Sequence, residues 1–251
     1  MISLARSETT KLLSARSTWI IASVTILGTW PMAWANSAPA TGDPSDSELL
    51  FSSVPIPAEY QGFDMAGFGY VLVVILAALR AGNEYGGGMQ IRTTLLATPR
   101  RLGVFVTKAA LLAVAIAAIA FVTMTGTIMI AHASGEDRIS PWALTPPIWA
   151  SIGGVVLAWT LTGLIAFALG ILARTMIVPL ILIVPLIIGV GDFLAGFWDS
   201  ARYLPTTAGA AMYNDTTTGF YLDPGLGGTV LAGWAVVSLI VSASVFCRRD
   251  L

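Results

Sequence analysis

Few residues in this 251-residue chain have the types and spacing that catalysis or metal binding requires. There is one histidine, His132, and one cysteine, Cys247, which excludes an internal disulfide and a cysteine-based metal site. A zinc site or an intramembrane hydrolase needs paired ligands, or a nucleophile beside a base, and His132 has no second histidine as a partner. The sequence predicts no catalytic, cofactor-binding or metal-binding residue, and His132 is expected to be an interfacial polar residue.

The chain also has no phosphate-binding loop of the GxxxxGK[ST] type. Without such a loop the chain is not expected to bind ATP and magnesium or to hydrolyse ATP by itself. The sequence therefore predicts that this protein is not an enzyme.

The composition is that of a membrane protein. Hydrophobic residues make up 56% of the chain and charged residues 11%, whereas soluble domains carry about 25% charged residues. Apolar runs of about 20 residues recur along the whole length, as in helical membrane proteins. We expect an all-α membrane protein with a single domain over residues 1–251, and the net charge of −1 provides no basic field for nucleic acid.

Six membrane spans are expected. Before the first of them, Arg6, Lys11 and Arg16 alternate with an apolar stripe, which indicates an interfacial helix, with a disordered charged tail as the alternative. The first span could also be a cleavable signal peptide ending near the Ala-Trp-Ala run at 33–35. The expected spans cover about residues 19–35, 63–79, 102–130, 148–172, 176–194 and 228–246.

Basic residues are concentrated in the segments on one side of these spans. By the positive-inside rule, that side is cytoplasmic. We therefore expect a multi-pass protein of the plasma (inner) membrane with both termini in the cytoplasm. Eleven basic residues lie on this side, namely Arg6, Lys11, Arg16, Arg80, Arg92, Arg100, Arg101, Lys108, Arg174, Arg248 and Arg249, against Arg138 and Arg202 on the other.

Glycines and prolines predict local features of two spans. Gly153, Gly154, Gly163 and Gly170 would permit close helix packing in the fourth span. Pro179 and Pro185 each remove a backbone donor and should bend the fifth span. Residues 195–227 are expected to form an aromatic, glycine-rich outer loop.

Asp192 is the acidic residue that lies deepest in an apolar run. Ionisable residues at membrane depth often mark ion pathways. Because Asp192 lies near the outer end of the fifth span, we favour a polar residue at an outer constriction, or a helix cap, over ion coupling. The scarcity of other such residues argues against a proton- or sodium-coupled transporter.

One long polar segment with positive charge, residues 84–108, separates the second and third spans. Glu84 favours a helix N-terminus there, and the apolar spacing becomes helical from Met89. Pro99 ends this pattern before Arg100 and Arg101. The segment predicts a short amphipathic helix at about 84–98 on the cytoplasmic face, and a plain amphipathic linker is the alternative.

The same segment resembles the permease subunits of type-2 ABC (ATP-binding-cassette) exporters. The interfacial N-terminal helix, the short link between spans four and five, and the run Arg202–Gly209 also match the layout of actinobacterial members. Met89 is a departure, because the family usually has threonine there. The matching positions are Glu84, Tyr85, Gly88, Leu95, Leu96, Thr98, Pro99, Arg100, Arg101 and Lys108.

This resemblance implies that residues 84–98 are a coupling helix that rests on a separate ATPase subunit, which would bind ATP and magnesium. It also implies a homodimer, or a dimer with a similar permease, whose substrate pathway is lined by spans one, two and five within membrane lipid. The outer loop would gate the exit. The expected ATPase-coupling residues are Glu84, Tyr85, Met89, Arg92, Leu96, Pro99, Arg100 and Arg101, and the outer gate candidates are Asp192, Tyr203 and Pro205.

The scarcity of charged residues within the spans fits an apolar or amphipathic substrate. Two other classes remain open at this stage. One is a transporter or channel that works without an ATPase, and the other is a non-transporting membrane immunity or scaffold protein. A nucleotide-binding partner would separate the exporter from both.

Overall fold

The computed structural model describes residues 2–37, 58–85, 101–135, 139–214 and 220–248. Within these ranges the chain forms helices and turns and no β-strand, which confirms the all-α prediction. The predicted coupling helix lies outside the described residues, except for its first two positions, Glu84 and Tyr85.

The helices are numbered here in chain order. They are α1 (Ile2–Ser14), α2 (Arg16–Ser37), α3 (Ala66–Gly82), α4 (Arg101–Ser134), α5 (Pro146–Ala173), α6 (Ile177–Pro185), α7 (Gly191–Phe197), α8 (Pro205–Ala210) and α9 (Pro224–Arg248). Short 3-10 turns lie at Ala58–Tyr60, Phe63–Met65 and Asp199–Tyr203.

Five segments of the described chain are long and apolar enough to cross a membrane. They correspond to predicted spans two to six. α1 and α2 meet at a bend of 61° and together reach the same length and hydropathy, so they add a sixth segment if the bent pair is one span. The five segments are Phe63–Gly82, Arg101–Ser134, Pro146–Ala173, Ile177–Phe197 and Pro224–Arg248.

The helices of the predicted spans extend beyond the expected bounds at one end or at both. α4 has 34 residues and ends at Ser134 instead of the predicted 130, a length of about 51 Å at 1.5 Å per residue. This exceeds the roughly 30 Å of a bilayer core, so α4 must project beyond it. The apolar run ends before α4 does. The hydroxyls of Thr127 and Ser134 donate to the carbonyl oxygens of Thr123 and Ile130, so these polar side chains are satisfied within the helix.

α5 lies at the centre of the bundle, against α3, α4 and α9. Trp159 of α5 is fully buried and stacks on Tyr70 of α3, with ring centroids 6.2 Å apart. The indole lies directly over Gly69, where any Cβ would collide with it. Tyr70 Oη lies 2.5 Å from Thr162 Oγ1, so the buried phenol has a hydrogen-bond partner on α5.

The glycines of the predicted fourth span behave as expected at three of four positions. A Cβ at Gly154, Gly163 or Gly170 would collide with Met212, Ile116 or Ala81, respectively, so these glycines allow close approach. A Cβ at Gly153 would meet no atom within 4 Å, so the prediction is wrong there. Gly153 is half-buried, and within the described chain its would-be Cβ faces open space.

The predicted fifth span, 176–194, is a broken helix that reaches Phe197. α6 ends at Pro185, and a π-turn over Leu186–Val190 connects it to α7. Gly189 within this turn has φ 127°, a left-handed conformation that favours glycine. The expected bend therefore follows Pro185, whereas Pro179 lies in the first turn of α6, where its missing N–H removes no helical bond.

Residues 195–227 were predicted to be an outer loop, and the structure corrects this. The described part contains the end of α7, the 3-10 turn Asp199–Tyr203, α8 and the first turn of α9. Pro205 begins α8, where its fixed φ suits the first helical position. The small residues of α8 are buried against α5 and α9, and this tertiary packing stabilises a helix too short to be seen in the hydropathy pattern.

Candidate functional site

A buried ion cluster lies at the end of the bundle where α3 stops and α4 begins. Lys108 of α4 places Nζ 2.7 Å from Glu8 Oε2 of α1 and 2.5 Å from Glu84 Oε1, just after α3. The side chains of Lys108, Glu8 and Glu84 are only 8%, 6% and 12% exposed. One ammonium thus joins three separate parts of the chain. We call Glu8, Lys11, Arg80, Glu84 and Lys108 the Lys108 cluster.

The amphipathic pattern of α1 accounts for the position of Glu8. Leu4 and Glu8 are four residues apart and both buried, so they lie on the inner face of this helix. Lys11, one turn further on, places Nζ 2.8 Å from Glu8 Oε1, and its side chain is 40% exposed. Glu8 therefore receives one cation from the bundle and one from its own helix.

Electrostatics keep Glu8 ionised. Burial would raise the pKa of its carboxyl, but the hydrogen bonds and charges of Lys108 and Lys11 outweigh this effect, and the net pKa is lowered. Glu8 lies in α1, before the 61° bend and outside the long apolar helices. The carboxylate of Glu8 thus remains charged at pH values below the ordinary pKa range of glutamate.

Arg80, at the end of α3, connects the cluster to the bend between α1 and α2. Its Nη2 donates to Leu12 O at 2.8 Å and to Thr18 Oγ1 at 2.7 Å. A longer bond of 3.5 Å reaches Lys11 O. Because the last carbonyls of α1 have no partner within the helix, the guanidinium satisfies them and holds the bend in place.

Tyr85 and Arg101, the two residues on either side of segment 86–100, are also fixed at this end of the bundle. The Arg174 guanidinium lies over the Tyr85 ring at 5.8 Å, at the turn between α5 and α6. Arg101, the first residue of α4, donates Nη1 to Cys247 O near the end of α9 at 3.3 Å. The residues just before and just after segment 86–100 therefore lie at the same end of the bundle. Contacts at this end come from α1, α3, α4, α5 and α9.

The predicted ATPase-coupling residues thus fall into two groups. Glu84, Tyr85 and Arg101 contact neighbouring helices at this end of the bundle. Met89, Arg92, Leu96, Pro99 and Arg100 lie outside the described residues, as do Gly88, Leu95 and Thr98. Sequence reasoning missed Glu8 altogether, although its spacing from Leu4 on an amphipathic helix was a signal that it faces inward.

The outer gate candidates lie at the other end of the bundle and make separate contacts. Asp192 of α7 forms a side-chain hydrogen bond with Tyr221, which is also bonded to the side chain of Asn214. Burial, with the charge of Asp192 adding to it, raises the pKa of Tyr221 to about 12. Tyr203 O accepts a bond of 2.9 Å from Trp234 Nε1, and Pro205 is buried at the start of α8.

His132, which we expected to be interfacial, is buried near the end of α4. Its Nε2 lies 3.0 Å from Glu59 O, so the ring connects α4 to the 3-10 turn Ala58–Tyr60. Within the described ranges, no group of three or more histidine, cysteine, aspartate or glutamate residues could hold a metal ion. A structural tether is therefore the role that the contacts of His132 support.

Comparison with models of known protein families and with curated proteins finds no match for this chain. We therefore infer function from the residues of this chain and from the geometry of its two ends.

Proposed function

We propose that this chain is the transmembrane subunit of an ATP-binding-cassette exporter in the plasma membrane, with both termini in the cytoplasm. It would pair with a second copy or a similar permease and couple to separate ATPase subunits. The observation that carries this proposal is Lys108, which joins α4 to Glu84 at the start of the predicted coupling segment and to Glu8 of α1. The pattern from Glu84 to Lys108 that resembles the exporter permeases supports it independently.

A coupling element must transmit displacement to the helices that line a pathway. Residues 86–100 are flanked by Tyr85 and Arg101, which contact Arg174 and Cys247, respectively. Buried charge pairs keep their geometry, because separating either partner leaves an uncompensated charge. A force on the segment would therefore reach α3 through Glu84 and α4 through Lys108 and Arg101.

The proposed cycle follows from these connections. ATP-driven closure of the ATPase subunits would displace residues 84–98, and the displacement would tilt α3 and α4 while α1 follows through Glu8. The kinked α6–α7 segment and residues 195–227 would then open or close the outer exit. An apolar or amphipathic substrate would meet few charged side chains on the way.

The direct test replaces Glu84, whose carboxylate connects the segment to Lys108. The chain is purified together with the ATPase that accompanies it, and ATPase stimulation is measured for Glu84→Gln and Arg92→Gln. Since a hydrogen bond to a charged group contributes about 1.5–3 kcal/mol, Glu84→Gln should reduce stimulation by about tenfold or more. Glu59→Gln is the matched control, because Glu59 is exposed at the other end of the bundle, outside the proposed coupling and gate residues.

Normal stimulation in both the Glu84 and the Arg92 variants would contradict the coupling role. If no nucleotide-binding protein accompanies the purified chain, the exporter proposal is contradicted. The function is then either ATP-independent transport or that of a non-transporting membrane protein. Substrate flux in vesicles without ATP would then indicate an ATP-independent transporter or channel. Peptide binding without flux would indicate an immunity or scaffold protein.

A further inference from the structure

The Lys108 cluster borders a half-open cavity of about 290 Å³. This volume corresponds to roughly ten water molecules at about 30 Å³ each, and it is close to the lower limit of small-molecule pockets. Its walls come from α1, the bend at Ala15, the start of α2, the end of α3, and α4 and α5. The proposed exporter mechanism uses the ion pairs of Glu8, Glu84 and Lys108 in its wall but assigns no ligand to the cavity itself.

Among the described residues, the charges that line the cavity do not balance. Lys11, Arg80 and Lys108 supply three positive charges, and Glu8 and Glu84 supply two negative ones, which leaves one net positive charge. Lys11 and Lys108 each form a salt bridge with a glutamate. Within the described chain, Arg80 has no carboxylate at salt-bridge distance, and its Nη2 bonds only to uncharged oxygens.

An arginine in this position is suited to an anion. Charged groups that are shielded from water are normally paired, and the rigid fork of guanidinium donors matches the geometry of a phosphate or a carboxylate. The Nε of Arg80 is buried and has no hydrogen-bond partner in the described chain. Arg80 also lines the cavity, so its guanidinium lies beside the space that a ligand would occupy.

The remaining lining indicates where the phosphate comes from. Leu12 and Leu111, which are partly exposed, provide apolar surface beside the charges, and the buried core residues Leu112 and Phe167 lie behind them. A soluble ion such as inorganic phosphate has no apolar part to cover these side chains, whereas a phospholipid has both a phosphate and an apolar portion. The cavity also adjoins α3 and α4, two of the segments that are long and apolar enough to cross a membrane.

We propose that this cavity binds the phosphate headgroup of one membrane phospholipid through Arg80. The lipid would balance the net charge of the Lys108 cluster and fill the space between α1 and the bundle. Occupancy would therefore stabilise the bend between α1 and α2.

The test uses the full chain purified in a phosphate-free maltoside detergent. Phosphatidylglycerol is titrated in, and binding is followed by native mass spectrometry and by the shift in Tm. We expect one retained lipid per chain and a rise in Tm for the wild type. In Arg80→Gln the apparent Kd should rise about tenfold or more, while Arg80→Lys, which keeps the charge, should lose less affinity.

Two further variants separate binding from folding. Ser17→Leu leaves all five charges in place but directs a larger side chain into the cavity, so it should also lose the lipid. Arg202→Gln, the same type of change at the other end of the bundle, should bind as the wild type does. If Arg80→Gln does not fold, Ser17→Leu still decides the question.

Three results would overturn the proposal. Diacylglycerol, which lacks the phosphate, could shift Tm as much as phosphatidylglycerol does. Inorganic phosphate alone could be equally effective, which would exclude the lipid as the source. Finally, Arg80→Gln and Ser17→Leu could both retain lipid at the wild-type ratio.

Discussion

Lys108 is shared by two carboxylates from two different earlier parts of the chain. Glu8 precedes it by 100 residues and Glu84 by 24. A single buried cation between two anions is held by both, so the removal of the cation has a greater effect than the removal of either anion. This asymmetry can be measured one side chain at a time.

Lys108→Met should destabilise the protein by about 3–5 kcal/mol, because two buried carboxylates lose their shared cation. Glu8→Gln should cost less, since Lys108 keeps Glu84. Lys11→Met is the matched control: its side chain is 40% exposed, so its loss should cost only about 1 kcal/mol or less. Unfolding in mixed micelles measures all three, and equal effects of the two lysine changes would contradict the buried cluster.

At the scale of elements, α3 and α5 meet through a glycine that leaves room for an indole. Gly69 lies under Trp159, while Gly67, two residues earlier on the same helix, has no atom within 4 Å of its would-be Cβ. These two glycines lie in the same helix but differ in packing. An alanine at either position gains helix propensity, but only at Gly69 does its methyl group overlap with a neighbour.

Gly69→Ala should destabilise the bundle by about 1–3 kcal/mol, because the methyl group forces Trp159 to move. Gly67→Ala should be neutral or stabilising by up to about 1 kcal/mol, since alanine has the higher helix propensity. Thermal unfolding of both variants in detergent is the measurement. A Gly69→Ala protein as stable as Gly67→Ala would show that α3 and α5 do not pack through this contact.

The kink between α6 and α7 depends on a different glycine property. Gly189 adopts φ 127°, so Gly189→Ala should cost about 1–2 kcal/mol of backbone strain. Gly196→Ala is the control, because Gly196 lies within α7 and its would-be Cβ meets no atom within 4 Å. If Gly189→Ala is as stable as Gly196→Ala in the same unfolding assay, the left-handed turn is not the native conformation.

At the scale of the whole molecule, the two ends of the bundle differ in charge and in type of contact. The basic end has the Lys108 cluster, the Tyr85–Arg174 pair and the Arg101–Cys247 bond. In the described part of the other end, neutral and acidic contacts prevail, including Asn36–Asp64, Trp234–Tyr203 and the bond between Asp192 and Tyr221. This sorting is the structural counterpart of the positive-inside pattern.

The orientation predicted from that pattern can be tested by cysteine labelling. In a Cys247→Ser background, cysteines at Ser7 and Asn83 should react with a membrane-impermeant reagent only from the cytoplasmic side. Cysteines at Ser140 and Asp199 should react only from outside. All four positions are exposed in the structure.

The labelling result also bears on the number of spans. Labelling of Ser7 and Asn83 from the same side is expected when α1 and α2 contribute one span before α3. If Ser7 instead reacts from the same side as Ser140 and Asn83 from the other, the number of crossings between Ser7 and Asn83 is odd. That result would contradict the six-span topology. Reactivity of all four from one side would contradict a membrane-spanning bundle.

The sequence alone determined the helical class, five of the apolar segments and the separation of charge along the chain. These properties depend on local composition, because a run of about 20 apolar residues is sufficient to predict a span whatever it packs against. Local pattern also located Pro185 and the close-packing glycines Gly154, Gly163 and Gly170. It could not identify Gly153 as unpacked, since helical spacing does not say which face a neighbour covers.

Only the tertiary structure decided that Lys108 binds Glu8 as well as Glu84, that Arg80 holds the bend of α1 and α2, and that α8 is a helix. Each depends on contacts between parts of the chain that are distant in sequence. The partner of a buried charge is chosen by which helices pack side by side, and no local pattern encodes that choice. For this reason a basic interruption between two spans was visible in the sequence, whereas the cluster that connects it to α1 was not.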